Sequence, residues 1–503
     1  MTLSRACLTA TIVSGLLLAL LLAQGVLRLD AVFLPDDTYY ALSIARNIAH
    51  GLPASTDGVE WTSGFQPLIV LMQVPLFWIW DGGWAPVMAS AVLSSVFGLA
   101  AVCLLTRLVG EVSGAPWAAL AAGLIGATAQ LLLLNAPNGL ETTLAAATGL
   151  WAALLAQRLR RDDPPGRFLA LGLVLGLALW ARIDTCFIVA AIGLWCLFRF
   201  RWRQVLTIAL AGLIVVAPWW GYCLWVAGTP VPESGAAVRE IAAFYAPHGF
   251  DTPLLLGMAL LELTTYRGPV PETALVPDLS MLFAAAAFWH LTAALARRRM
   301  DAVALLLLAA VPLYLFYGAL LPAYWFFERY LLPVSLALIA AMGCMLADIG
   351  RRASWLAAPL AAALIMGNLT AAWPLWQAAR AEVPEPHGRG YGTALSGMTD
   401  ILPDGAVVAA MQSGAIGYFA RPGVRVINLD GVVSGRAAAA MREHRLAAYL
   451  VERGATHFAD WSVNEKVLRA HAGIDLPADA LTEIARMPPQ GTSVVTVFEL
   501  DLP

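Results

Sequence analysis

Charged residues in this 503-residue chain are gathered into short breaks between long apolar runs, and that spacing limits its fold more than any other feature. Apolar runs fall at 7–27, 84–106, 116–134, 142–157, 168–181, 183–198, 204–226, 279–296, 301–321, 330–348 and 354–372. Each is long enough, or nearly so, to cross a hydrocarbon core about 30 Å thick, which takes about 20 residues as a helix. With no water in that core to satisfy the backbone, the pattern predicts a mainly α fold: a polytopic membrane helical bundle of about 11 transmembrane helices. The chain is 60% hydrophobic and 13% charged, more apolar than the core of a water-soluble domain requires. Arg5 precedes the first run as in a signal peptide. That run exceeds a typical signal-peptide core and no small-x-small cleavage site follows, so it reads as a retained anchor.

The arginines set the orientation. Arg107, "RLRRDDPPGR" (Arg158 to Arg167), "RFRWR" (Arg199 to Arg203), "RRR" (Arg297 to Arg299) and "RR" (Arg351, Arg352) all face the cytoplasm under the positive-inside rule. That parity holds only if Gln66 to Trp80 does not cross. This run is short, is interrupted by Pro75 and carries Trp78 and Trp80, so it is expected to lie at the outer interface; Asp251 to Leu263 reads the same way. The polar segments then collect outside: the loop 28–83, Asn135 to Thr143, Gly228 to Glu240, Tyr324 to Arg329, and everything after Trp373.

Composition changes after the last run. From Pro384, strand-like "AVVAAM", "VRVINLD", "THFADW" and "SVVTVFEL" alternate with helical "GRAAAAMREHRLAAYLVERG". The expected organisation is a transmembrane domain over 1–373, with its external loop at 28–83, and a soluble extracytoplasmic α/β domain over 384–503. "SGAIGYFA" (Ser413 to Ala420) follows the first strand but lacks G-x-G-x-x-G spacing, so it reads as a plain strand-to-helix turn. Net charge is −3 and there is no long basic run, which excludes a nucleic-acid binder. The six cysteines lack CxxC spacing and lie in or beside apolar runs, so apolar packing is expected of them; the seven histidines lack ligand spacing and read as surface or packing residues.

Within the external loop, "LPDDTYYALSIARNIAHG" places adjacent carboxylates Asp36 and Asp37 at the start of a helix that Gly51 can end. They can cap that helix; yet capping needs one, and adjacent carboxylates repel unless a cation or shared proton intervenes. Glu141 can orient an acceptor, join a cation site with the pair, or cap the next span. Arg329, at the outer end of a span, suits a phosphate, with interfacial snorkelling the lesser alternative. Arg182 and Asp184 read equally as a mutual ion pair or as ligands, since charges within a membrane are costly and seek partners.

"PDDTYYALSIARNIAHG" followed by "WTSGFQPL" resembles the first external loop of the GT-C superfamily, membrane glycosyltransferases that use polyprenyl-phosphate-linked sugars. "NGLETTL" resembles its acidic residue in the next external loop. "WARIDT" resembles an Arg-x-Asp element, with Ile183 in place of its usual proline. "GTPVPESGAAV" and "ERYLLPV" match further elements, and Arg239 lies near where a lysine is common. The likeness covers Leu3 to Trp373 and extends to the protein mannosyltransferase, aminoarabinose transferase and arabinofuranosyltransferase families.

The resemblance implies transfer of a sugar from a polyprenyl-phosphate carrier to an extracytoplasmic glycan, lipid or protein acceptor, with inversion. It implies Asp36 as the general base, Asp37 as auxiliary and Glu141 as the third catalytic acid. Arg329, Arg182 and Arg46 would bind the donor phosphate, and Tyr40, Asp184 and Glu233 the substrates. A divalent cation held by Asp36, Asp37 and Glu141 is a candidate cofactor. The competing readings are a transporter or lipid flippase, and a non-catalytic envelope scaffold; against the first, no internal repeat is evident and the acids cluster outside the bilayer centre.

Overall fold

Each of the eleven apolar runs carries a helix in the computed structural model, which describes residues 1–245, 277–317, 321, 327–380, 390–462, 464–466, 468, 480–487 and 494–502. Five helices are long and apolar enough to cross a bilayer: Leu3–Leu22, Trp84–Ser113, Trp202–Ala227, Leu332–Arg352 and Ser354–Arg380. Shorter apolar helices, such as Pro116–Thr128, Pro165–Ala181 and Ala302–Leu315, pack among them, and the whole is a multi-pass membrane protein. Small residues let these helices approach closely. A Cβ on Gly172 would lie 2.3 Å from the Ile208 carbonyl oxygen and one on Gly176 2.6 Å from the Val215 Cβ, so Pro165–Ala181 and Trp202–Ala227 meet along a small-xxx-small face.

The segment expected at the interface is a helix, Pro67–Gln73, continued by a 3-10 turn, Val74–Trp78. At 1.5 to 2.0 Å per residue it rises only about 20 Å, too little to cross. Ile69 and Val70 are buried, whereas Trp78 and Ile79 are 71% and 69% exposed, which suits an element lying flat on an apolar medium. Its counterpart Asp251 to Leu263 lies outside the described residues, as do Tyr324 to Phe326 and the Pro384 boundary.

The C-terminal region forms a five-stranded sheet: β1 Val407–Ala410, β2 Arg425–Asn428, β3 His457–Trp461, β4 Leu481–Arg486 and β5 Val495–Leu500, in the order β2-β1-β3-β5-β4. β1 pairs in parallel with β2 and β3, while β5 runs antiparallel between β3 and β4. Four strands match the sequence expectation. The fifth, "LTEIAR", is a charged and mostly exposed edge strand, and charge on an edge blocks further pairing while erasing the apolar signal of a strand.

Alternation along the strands gives the sheet two apolar faces. Ala409, Ile427, Phe458 and Phe498 pack under the helices Gly435–Arg442 and Leu446–Glu452. Val408, Ala410 and Val497 pack into a core shared with Tyr39 and Ile44 of the helix Asp36–Ala49 and with Trp376 of the bundle. The helix Asp36–Ala49 therefore lies between bundle and sheet. Cys196, Cys223 and Cys344 are buried as expected, whereas Cys186 is exposed; all six cysteines are free thiols.

Candidate active site

Helical phase decides what each residue of Asp36–Ala49 can reach. Pro35 occupies the N-cap, and Asp36 and Asp37 are the first two helical residues, about 100° apart around the axis. Asp37, Tyr40 and Ala41, at i, i+3 and i+4, line a cavity of about 1210 Å³ between bundle and sheet. Arg46 is nine residues past Asp37, half a turn away, and points elsewhere. Its Nη1 donates to the Tyr418 carbonyl at 2.9 Å and its guanidinium lies 5.1 Å from the Tyr418 ring centroid. Arg46 thus ties the helix to the sheet domain and does not reach the cavity as a phosphate ligand.

Asp36 also points away from the cavity. Its two carboxylate oxygens accept hydrogen bonds from the backbone N–H groups of Gly414 and Ala415, both at 2.8 Å. The side chain is buried, and that burial, only partly offset by the two amides, pushes its pKa up to about 7. The pairing expected from sequence, Asp36 as reactive acid and Asp37 as helper, is reversed in placement: Asp37 faces the cavity and Asp36 faces the sheet. Neither caps its own helix through its side chain.

Asp37 forms an ion pair with Arg329. Glu141 is drawn to the same wall because Thr38 Oγ1 donates to the Asn138 carbonyl at 2.7 Å, and Gly139, at φ +73°, packs where a Cβ would lie 2.7 Å from Thr38. Arg182 sits behind them. It donates from Nη1 to Glu141 at 3.2 Å and from Nε to both Asp184 oxygens at 3.0 and 3.1 Å. Tyr317 donates its hydroxyl to Asp184 at 2.6 Å, and Tyr330 stacks on Tyr317 with the Arg182 guanidinium 4.3 Å from its centroid. Of the two readings of Arg182 and Asp184, the structure holds the mutual ion pair, inside a larger buried network. Its tyrosines were missed in sequence because they sit in apolar runs; a tyrosine amid such a run, with a polar tip to satisfy, is the available signal.

The sheet domain closes the opposite side. The Tyr40 hydroxyl donates to the Met411 carbonyl at 3.1 Å and accepts from Ser413 N–H and Asn428 Nδ2, both at 3.1 Å. It also lies 3.4 Å from Asp430, whose pKa burial raises to about 8. Glu233 lines the cavity while accepting from Thr62 Oγ1 at 3.0 Å and Ser63 N–H at 2.9 Å. Gly435 packs on it so closely that a Cβ would come within 2.2 Å. Arg436 and Arg442 of the sheet domain also line the cavity, paired with Glu452 and Glu240. Arg239 lines it too, exposed and without an ion pair among the described residues.

The three carboxylates considered for a cation do not meet: Asp36 is held by two amides, Asp37 by Arg329 and Glu141 by Arg182. Among the described residues no group of three or more His, Cys, Asp or Glu side chains is placed to hold a metal.

No protein-family model matches the chain, and no curated protein matches it in sequence. Its structure does have counterparts. ArnT from Cupriavidus metallidurans in the apo state superposes with a TM-score of 0.56 at 14% identity, over 96% of this chain and 97% of that one. The same protein bound to undecaprenyl phosphate gives 0.55 at 13% identity, with the same coverage. The Archaeoglobus fulgidus oligosaccharyltransferase gives 0.55 at 15% identity, over 98% of this chain and 74% of that one. At such identities the likeness is one of fold, and it spans nearly the whole chain. Helical bundle, the helix Asp36–Ala49 and C-terminal sheet together share the fold of these two proteins.

Proposed function

We propose that the protein is an integral-membrane glycosyltransferase that moves a sugar from a polyprenyl-phosphate carrier to a glycan, lipid or protein acceptor, on the extracytoplasmic face and with inversion. The observation that carries this reading is the Asp37–Arg329 pair on the wall of a large cavity, with Arg182 and Arg239 also on its lining. In this chemistry Asp37 takes the proton of the acceptor hydroxyl as its oxygen bonds to the anomeric carbon. The bond from that carbon to the carrier phosphate breaks, and the phosphate leaves with the electron pair.

The guanidinium of Arg329 fits the leaving phosphate, because its fork matches two oxygens. The donor's phosphate takes Arg329 from Asp37 and frees the carboxylate as a base. Arg239, exposed and unpaired among the described residues, gives the phosphate a second cation. Arg182, satisfied by four neighbours, holds Glu141 and Asp184 in place. A single base with direct displacement leaves no covalent intermediate, so configuration inverts. The ArnT structure with undecaprenyl phosphate, a lipid phosphate in the same fold, supports this class of donor.

An outward-facing cavity fits the positive-inside rule. Arg107, Arg158, Arg351 and Arg352 lie toward the ends of helices whose opposite ends adjoin the cavity and the external helix. The test is incubation of the purified protein with a synthetic polyprenyl-phosphate sugar and extracted envelope acceptors, reading the anomeric configuration of the product by NMR. Transfer with inversion supports the assignment. A retained configuration removes the single-displacement mechanism, and donor movement between leaflets without transfer leaves a flippase.

A further inference from the structure

The Ser413 to Ala420 stretch reads in sequence as a plain strand-to-helix turn, yet its amides hold an anion: the carboxylate of Asp36, nearly 380 residues earlier in the chain. The approach is too close for any side chain at 414, where a Cβ would lie 2.3 Å from the Asp36 carbonyl oxygen and 2.8 Å from its Cγ. We infer that Asp36 is a positioning residue: gripped by the Gly414 and Ala415 amides, it fixes the rotation of the Asp36–Ala49 helix and so aims Asp37 into the cavity. The inference rests on the transferase reading of Asp37.

Neighbouring aspartates on a helix pose a choice of phase. A rotation of about 100° would exchange them, and either carboxylate would then present the same chemistry to the cavity. The grip resolves that choice, since both Asp36 oxygens accept N–H bonds from the first residues of the short helix Gly414–Tyr418 that follows β1. Further anchors act on the same helix: Tyr40 is held by Met411, Ser413 and Asn428, and Arg46 by the Tyr418 carbonyl. Asp37 and Ala41, by contrast, are left to the cavity. With side chains reaching about 5–6 Å from the helix axis, a rotation of 10° displaces the Asp37 carboxylate by about 1 Å. A misplacement of that size can cost about 10²-fold in rate. The C-terminal sheet domain is therefore part of the catalytic apparatus without contributing the base.

The experiment compares Asp36→Asn, Gly414→Ala and Asp37→Asn in the full-length protein in lipid nanodiscs, using a synthetic polyprenyl-phosphate sugar and hydrogen exchange across 407–420. Asn at 36 keeps one acceptor but turns an amide donor toward a backbone donor. Ala at 414 forces the two elements apart from the other side. Both variants are expected to lower kcat about 10²-fold with little change in donor KM, to keep the shape of the pH profile, and to speed exchange at residues 414 and 415. Asp37→Asn is expected to lose more activity while keeping that protection. Gly414→Ala transferring at the wild-type rate with loosened amides would overturn the inference. So would an Asp36→Asn protein as inactive as Asp37→Asn with unchanged exchange, which would make Asp36 the base. If the wild type transfers nothing, the transferase reading fails, and the exchange data alone still decide whether Asp36 is gripped.

Discussion

Replacing Arg182 with methionine removes the cation on which two buried carboxylates depend. Glu141 and Asp184 are each only 6% exposed, and Arg182 donates to both at 3.0 to 3.2 Å. Methionine roughly preserves the volume beside Tyr330 while leaving both acids uncompensated. Breaking a buried ion pair from one side costs about 3–5 kcal/mol, and two orphaned carboxylates place this variant at the upper end. The assay is equilibrium unfolding in mixed micelles, following tryptophan fluorescence. The triple variant Arg182→Met/Glu141→Gln/Asp184→Asn should regain most of the lost stability, because neutral amides carry no buried charge. An Arg182→Met protein as stable as the wild type would show that the three groups do not form the closed network described above, and Arg182 would return to the list of phosphate ligands.

Arg329→Ala should cost about 10²- to 10³-fold in kcat, as for removal of one preorganised donor, and Arg329→Lys should recover only part, because an ammonium keeps the charge but not the fork. Arg239→Ala should weaken carrier binding in a lipid-phosphate titration while shifting stability by no more than about 0.5 kcal/mol, since the side chain is exposed. Burial raises Asp430 to about 8, so the folded state holds a proton that the unfolded chain, with carboxylates near 4, has lost. Stability of the docked sheet should therefore be greatest in mild acid and fall as pH rises toward 8; protection factors of the β1 and β2 amides, corrected for the intrinsic pH dependence of exchange, that rose over that range would refute it. A reporter fused after Asp81 should read outside the cytoplasm, and a cytoplasmic signal would undo the common sidedness of the cavity residues.

Hydropathy reports burial in lipid, which is why the apolar runs were legible as helices. The helix Asp36–Ala49 was legible too, from Pro35 to its end near Gly51. What a single strand of sequence could not show was which way that helix faces, because the phase is set by partners at Gly414, Met411 and Tyr418, far along the chain. The i, i+3, i+4 spacing of Asp37, Tyr40 and Ala41, with Arg46 half a turn away, already sorts these residues onto opposite faces; it does not say which face meets the cavity. The edge strand Leu481–Arg486 was hidden by its charge, and Tyr317 by the apolar run around it.

Donor transfer by Asp37→Asn, measured beside donor binding, tests the proposed base most directly. The amide keeps the shape and a hydrogen-bond acceptor toward Arg329 but cannot take the acceptor's proton. The expected result is transfer reduced about 10²- to 10⁴-fold, with the carrier still bound and the Gly414 and Ala415 amides still protected. Transfer at the wild-type rate by an Asp37→Asn protein would contradict the assignment of the base to the cavity carboxylate.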